Sequence, residues 1–228
     1  MAGIVGVWEG IEGEIRFEIR QRLIGFKVPA APHMDPEGMR LFEDSLRRSR
    51  HYLEFGAGGS TVMAAGMGKK GVSVEGDRRY CRDVRAKLHG MPETMKLIYV
   101  DIGSTGAWGY PRNLKPTRKS VEAWARYVST PFENLQEEFY DLVLVDGRFR
   151  VACALRTICE AGKRNAEVRL LVDDYHDEED CRPHYKVIEA FVPLTRIVGR
   201  MAVFDISPDT LIKMPDEALL TALMVDSR

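Results

Sequence analysis

An apolar run that breaks into a glycine turn and reopens as a helix restricts a chain to a few α/β architectures, and Tyr52 to Thr61, YLEFGAGGST, has that form. A backbone passing from strand to helix in so few residues takes conformations with φ > 0 and lies close to whatever sits above it, which a Cβ would obstruct. Gly56, Gly58 and Gly59 supply that freedom. The helix opening at Ser60 and Thr61 leaves its first N–H groups unpaired and aimed at the turn, where they favour a carboxylate or phosphate. Downstream, GVSVEGD ends a second apolar run in Glu75. That is about twenty residues past the first glycine, from where an acid reaches the two hydroxyls of a ribose.

Beyond this turn, short apolar runs alternate with helical stretches, the pattern of a parallel sheet with crossover helices. Strands are predicted over 51–55, 71–74, 96–100, 142–145 and 169–172, and helices over 60–67, 78–88, 121–138, 151–161 and 179–191. The runs 195–198 and 201–206 are separated only by Gly199 and Arg200. Two residues cannot hold a helix, so these runs form a hairpin and bring an antiparallel strand into the sheet. Ahead of the core, Asp35-Pro36-Glu37 starts a helix with Asp as N-cap and Pro in the first turn. The expected fold is a doubly wound, Rossmann-like sheet of seven strands, mostly parallel, with a terminal antiparallel hairpin and helices on both faces. We expect one domain over 1–228, with an N-terminal appendage over 1–34, a core over 35–208 and a tail over 209–228.

Composition narrows the partners. A formal net charge of −1 gives no global attraction to nucleic acid or anionic lipid. The basic runs at 47–50 and 112–119 therefore read as a solvated helix end and loop. No apolar run approaches the roughly 20 residues of a membrane helix, and the N-terminus lacks a basic start followed by an apolar core. A cytoplasmic protein is expected, without a membrane partner. Cys81, Cys153, Cys159 and Cys181 have none of the CxxC spacing of metal or redox motifs.

On these residues alone the cofactor can be a dinucleotide or S-adenosylmethionine. The dinucleotide pattern GxGxxG puts its third glycine at position 61, where this chain has Thr61. That departure counts against an NAD(P)-dependent oxidoreductase. The stretch Glu54-Phe55-Gly56-Ala57-Gly58-Gly59-Ser60 resembles the first motif, E/DxGxGxG, of the class I S-adenosylmethionine-dependent methyltransferases, with Ser at its last glycine. The terminal hairpin after five βα units is a second point of resemblance. The DGRFRVACAL string and the WGYP loop are similar to a group of bacterial methyltransferase-like proteins.

The resemblance implies roles. Glu54, Gly56, Ala57, Gly58, Ser60, Thr61, Glu75, Gly76, Asp101, Ile102 and Asp146 would hold S-adenosylmethionine, with Glu54 beside its ammonium group and Asp101 against the adenine amino group. Asp146 would face the methyl group as a catalytic residue, with His176 as a candidate general base. Asp146 with Asp173 and Asp174 looks like the Mg2+ site of catechol-type O-methyltransferases, although Asp174 stands where that group has Asn. Such an ion would favour the deprotonated form of a hydroxyl. His176, Cys181 and His184 match no common zinc spacing. Trp108 and Tyr110 lie in a long segment expected to act as a lid, Tyr175 is placed to position an acceptor, and Arg148 and Arg150 can hold an anionic group. The expected partner is a small-molecule methyl acceptor. A protein that binds S-adenosylmethionine or its demethylated product without catalysis is the alternative.

Overall fold

The computed structural model describes residues 25–112, 116–133, 135, 139–176 and 182–223. Its frame is a seven-stranded sheet. The elements run α1 (Pro36–Arg48), β1 (His51–Phe55), α2 (Gly59–Gly66), β2 (Lys70–Glu75), α3 (Arg78–Leu88), β3 (Met95–Tyr99), α4 (Arg118–Ser129), β4 (Leu142–Val145), α5 (Arg150–Arg164), β5 (Val168–Val172), β6 (Arg196–Val198), β7 (Met201–Ile206) and α6 (Glu217–Leu223). The strand order is β3-β2-β1-β4-β5-β7-β6. Neighbours from β3 to β5 are parallel, and β7 is antiparallel to both β5 and β6. The expected doubly wound sheet with its terminal hairpin is therefore present.

Side chains alternate between two cores, as a strand's period of two requires. Leu53, Phe55, Val143, Val145, Leu170 and Val172 face α4 and α5. Tyr52, Leu142, Leu144, Leu171 and Val203 face α1, where Phe42 and Leu46 are fully buried. Asp35 caps α1 through the backbone N–H groups of Glu37 and Gly38 and also accepts from Arg200 N at 3.1 Å. One carboxylate thereby fastens the first helix to the β6–β7 turn.

Two expected helices take other forms. In the stretch 121–138 the described residues are helical from Arg118 to Ser129 and then form a 3-10 turn at Thr130–Phe132, while 134 and 136–138 lie outside the described residues. Thr117 and Ser120 start the helix early by reciprocal capping, and Pro131, which has no N–H to donate, ends it. The stretch expected as a helix over 179–191 is a 3-10 segment, Pro183–Ala190, opened by another proline; its first residues, with Cys181, lie outside the described residues. Of the N-terminal appendage only 25–34 is described. It is extended and crosses α2 and α3. Phe26 N donates to Asp83 and its ring meets Tyr80 edge-on at 5.1 Å. Val28 packs with Ala57, Val62 and Val84, and the Ala31 carbonyl rests on Gly59 so closely that no Cβ fits there. Gly59 thus serves chain packing.

Candidate functional site

The carboxyl ends of the parallel strands form one staggered edge, held by backbone bonds that pass from each strand to the next. Gly56 N donates to Val74 O, Val100 N to Glu75 O, Asp146 N to Phe55 O and Asp173 N to Val145 O, all at 2.9–3.1 Å. Ligands in open parallel sheets bind above such an edge. Gly56 has φ +97°, and a Cβ on it would lie 2.6 Å from Gly147 Cα. A Cβ on Gly147 would meet Gly56 N at 2.8 Å and the Tyr127 hydroxyl at 2.5 Å. The turns after β1 and β4 touch backbone to backbone, which brings Asp146 beside the glycine turn.

Glu54 is fully buried beneath that turn. Tyr52 Oη donates to one carboxylate oxygen at 2.9 Å and Thr61 Oγ1 to the other. Thr61 in turn accepts from Gly58 N at 2.9 Å. Burial pushes the Glu54 carboxyl above its usual range, opposed by the Ser60, Thr61, Ser73 and Tyr52 hydroxyls. The threonine at position 61 thus carries the link between acid and turn, where a glycine could not. Glu54 acts on the turn from below, whereas the resemblance puts it beside a ligand.

Glu75 is the acid that faces the turn. Its carboxylate accepts from Asp77 N at 2.7 Å and Ala57 N at 3.2 Å, and burial, with Asp77 adding to it, raises its pKa to about 7. Tyr80, a residue the sequence reading passed over, reaches back from the first turn of α3; its hydroxyl would be 3.1 Å from a Cβ on Gly58. Burial and the nearby Glu75 raise the Tyr80 hydroxyl to about 12. No spacing rule marks a tyrosine five residues past the acid, so this position was not legible. Ile102 is buried against Gly76 and its carbonyl accepts from Trp124 Nε1 at 3.1 Å. Asp101 is exposed at the edge and accepts from Gly103 N at 2.9 Å.

At the other end, ligand atoms of Asp146, Asp173 and Asp174 come within 4.8 Å of one another, the cluster the sequence predicts. Its middle is taken. Arg150, buried at the first position of α5, donates to Asp146 Oδ1 at 2.9 Å, Asp174 Oδ2 at 2.8 Å, the Asp173 carbonyl at 2.6 Å and the Gly147 carbonyl at 3.1 Å. Arg150 therefore holds its own protein's acids, not an anionic acceptor. Burial and the two neighbouring acids push Asp173 up to about 7, and its Oδ1 has no hydrogen-bond partner among the described residues. Asp146 is also raised, by burial first, against the pull of Arg150. Asp174 lies below the usual range because Arg150, Arg200 and Arg182 outweigh its burial. A Mg2+ ion needs oxygens at about 2.1 Å in near-octahedral array. Here two of the three carboxylates already bond a guanidinium that would repel the ion, so these residues do not fit it.

The remaining predicted residues separate. Tyr175 is buried and its hydroxyl donates to Glu189 at 2.7 Å, so it braces the core and does not face an acceptor. His176 is exposed beyond β5, and among the described residues no hydrogen bond joins it to the Asp146 cluster. The expected irregular lid is a small hairpin: Thr105 bridges Pro111, Gly106 N donates to Tyr110 O at 2.7 Å, and Arg112 N to Ser104 O at 2.8 Å. Trp108 stands at its tip with φ +56° and 74 % exposure. Thr105 Oγ1 donates to Asp77, and the Arg148 guanidinium lies 4.0 Å above the Tyr110 ring. The hairpin is thereby tied to both β2 and β4 sides of the edge.

No helix of the described residues is long and apolar enough to cross a membrane. No family model matches the chain, and no curated protein does. Among solved structures it is similar to a methyltransferase-like protein from Silicibacter pomeroyi, 31% identical, with a TM-score of 0.72, covering 87% of this chain and 100% of that one. A looser likeness links it to an O-methyltransferase from Bacillus cereus in complex with S-adenosylhomocysteine, at 14% identity and a TM-score of 0.49 over 86% of this chain and 89% of that one. The assignment rests on the first of these and on the sheet order and glycine turn described above: the chain belongs to the class I S-adenosylmethionine-dependent methyltransferase family.

Proposed function

We propose that this protein transfers a methyl group from S-adenosylmethionine to an oxygen or nitrogen of a small-molecule acceptor. The observation that carries the cofactor half is the pairing of the glycine turn with Glu75, whose buried carboxylate is held open by Ala57 N and Asp77 N for two ribose hydroxyls. Gly56, Ala57, Gly58, Ser60 and Thr61 present the backbone, Gly76 and Ile102 wall the adenine side, and Asp101 stands at its rim. When bound, the cofactor supplies a methyl group on a positively charged sulfur. The protein's part is to align it: in-line displacement gains most from proximity and orientation. Asp146, raised by burial and fixed by Arg150, takes the proton of a hydroxyl or amine acceptor. The [N/D]PP[F/Y] tetrapeptide of many base-amino methylators is absent, which favours an oxygen acceptor.

Calorimetry with S-adenosylmethionine and S-adenosylhomocysteine tests this reading. Glu75→Ala should weaken both by roughly 10- to 150-fold, the loss of a hydrogen bond to a charged group, about 1.5–3 kcal/mol. Heat with NAD and none with either ligand would sink the assignment. The same carboxylate predicts a pH dependence. Its folded pKa of about 7 exceeds the ordinary value near 4.5, so its contribution to ligand-free stability is present below 4.5 and is lost as pH rises through 7. Ribose hydroxyls donate most strongly to the ionised form, in which both carboxylate oxygens accept and carry the charge. Affinity should therefore fall from pH 8 to pH 6, by about tenfold at most, and a flat profile would remove Glu75 from the ribose.

The Trp108 hairpin is assigned to the acceptor. Trp108→Ala should raise the acceptor KM severalfold and leave cofactor affinity unchanged, because Trp108 projects from the hairpin tip while the glycine turn is braced from beneath by Glu54. Unchanged kinetics with every methylated acceptor would rule this out.

A further inference from the structure

We propose that Arg150 is a resident cation that keeps the Asp146–Asp173–Asp174 cluster free of divalent metal, so that the acid edge of this protein works as a metal-independent site. Three carboxylates drawn within 4.8 Å on the ends of two adjacent strands would otherwise be a hard-oxygen site of the kind divalent cations occupy. Arg150 removes that option by geometry and by charge. Its side chain is 4% exposed, and its three nitrogens donate to two of the carboxylates and to the carbonyls of Gly147 and Asp173. A guanidinium is planar and keeps its charge at any working pH, so this plug cannot be titrated away.

The neighbouring charges agree. Asp174 also lies 3.5 Å from Arg200 and 3.7 Å from Arg182. Among the described residues, acids of the cluster are thus in ion-pair range of Arg150, Arg182 and Arg200, cations that an added divalent ion would have to approach. The local backbone shows how the plug is aimed. Phe149 takes the left-handed conformation, φ +57°, and is fully buried, which turns the chain so that Arg150 enters the cluster from the first position of α5. Asp146 is thereby oriented by an organic cation, and acceptor activation falls to its carboxylate without help from a Lewis acid. Arg150 is a positioning residue on this view.

The test reads metal binding, so it stands apart from turnover and from the identity of the acceptor. Mn2+ is titrated into the full chain and followed by electron paramagnetic resonance, with folding checked by thermal melting. The wild type should show no stoichiometric site below about 1 mM. Arg150→Ala should gain one Mn2+ site at least tenfold tighter, and the gain should vanish in the Arg150→Ala, Asp174→Asn double variant. Arg150→Lys, which restores a cation, should abolish the gain. A stoichiometric wild-type Mn2+ ion that is lost in Asp174→Asn would overturn the proposal, and so would a folded Arg150→Ala that gains no metal. If Arg150→Ala does not fold, Arg150→Gln is read in its place by the same two criteria.

Discussion

Gly56→Ala should cost the fold about 2–6 kcal/mol, from two separate sources of roughly 1–3 kcal/mol each. One is the backbone conformation, φ +97°, which a residue with a Cβ adopts only under strain. The other is the 2.6 Å approach to Gly147 Cα, where both partners are backbone and neither can swing aside. A chain of this size loses about 2–4 °C of Tm per kcal/mol, so the melting temperature should fall by about 4–24 °C. Gly68→Ala is the matched control. Its φ is +67° and nothing lies within 4 Å of the added Cβ, so it carries the conformational cost alone. Equal falls in Tm for the two variants would mean that contact between the turns is not what Gly56 protects.

Asp146→Asn should lower kcat by about 10²- to 10⁴-fold, the usual contribution of a positioned acid or base. The amide keeps an oxygen for Arg150, which retains Asp174 and both carbonyls, so the cluster should hold together. Cofactor affinity, read by calorimetry, should change little. His176→Gln should be silent, since His176 is exposed and among the described residues no hydrogen bond joins it to the cluster. Single-turnover formation of the demethylated cofactor gives the rate directly. A drop of less than tenfold in Asp146→Asn would place the proton elsewhere.

Much of this molecule could be read before its structure. β1 and β4 begin and end where their apolar runs do, because a parallel strand covered on both faces has no polar alternation to blur its limits. The hairpin followed from the mere shortness of Gly199-Arg200. The glycine turn was legible because backbone conformation dictates residue type at fixed spacing, and Glu75 because an acid closing the second strand stands beside that turn. Arg150 was legible only as a cation near the edge: its burial depends on the left-handed Phe149, which no periodicity announces. Tyr175 misled because a tyrosine at a strand end looks alike whether it faces a ligand or, as here, Glu189. The stretch 179–191 reads as an α-helix, and that 183–190 takes the tighter 3-10 form is announced by no residue pattern, since a proline at the first position, as at Pro36, suits either.

The extended segment from Phe26 to Ala31, laid over α2 and α3 with its carbonyl against Gly59, ties two equilibria together. On the proposed cofactor site, docking of that segment would stabilise the helix that begins at the glycine turn, and a filled turn would stabilise the surface on which the segment docks. By reciprocity the two free energies are equal: whatever factor the docked segment contributes to cofactor affinity, bound cofactor returns to the segment's protection from exchange or proteolysis.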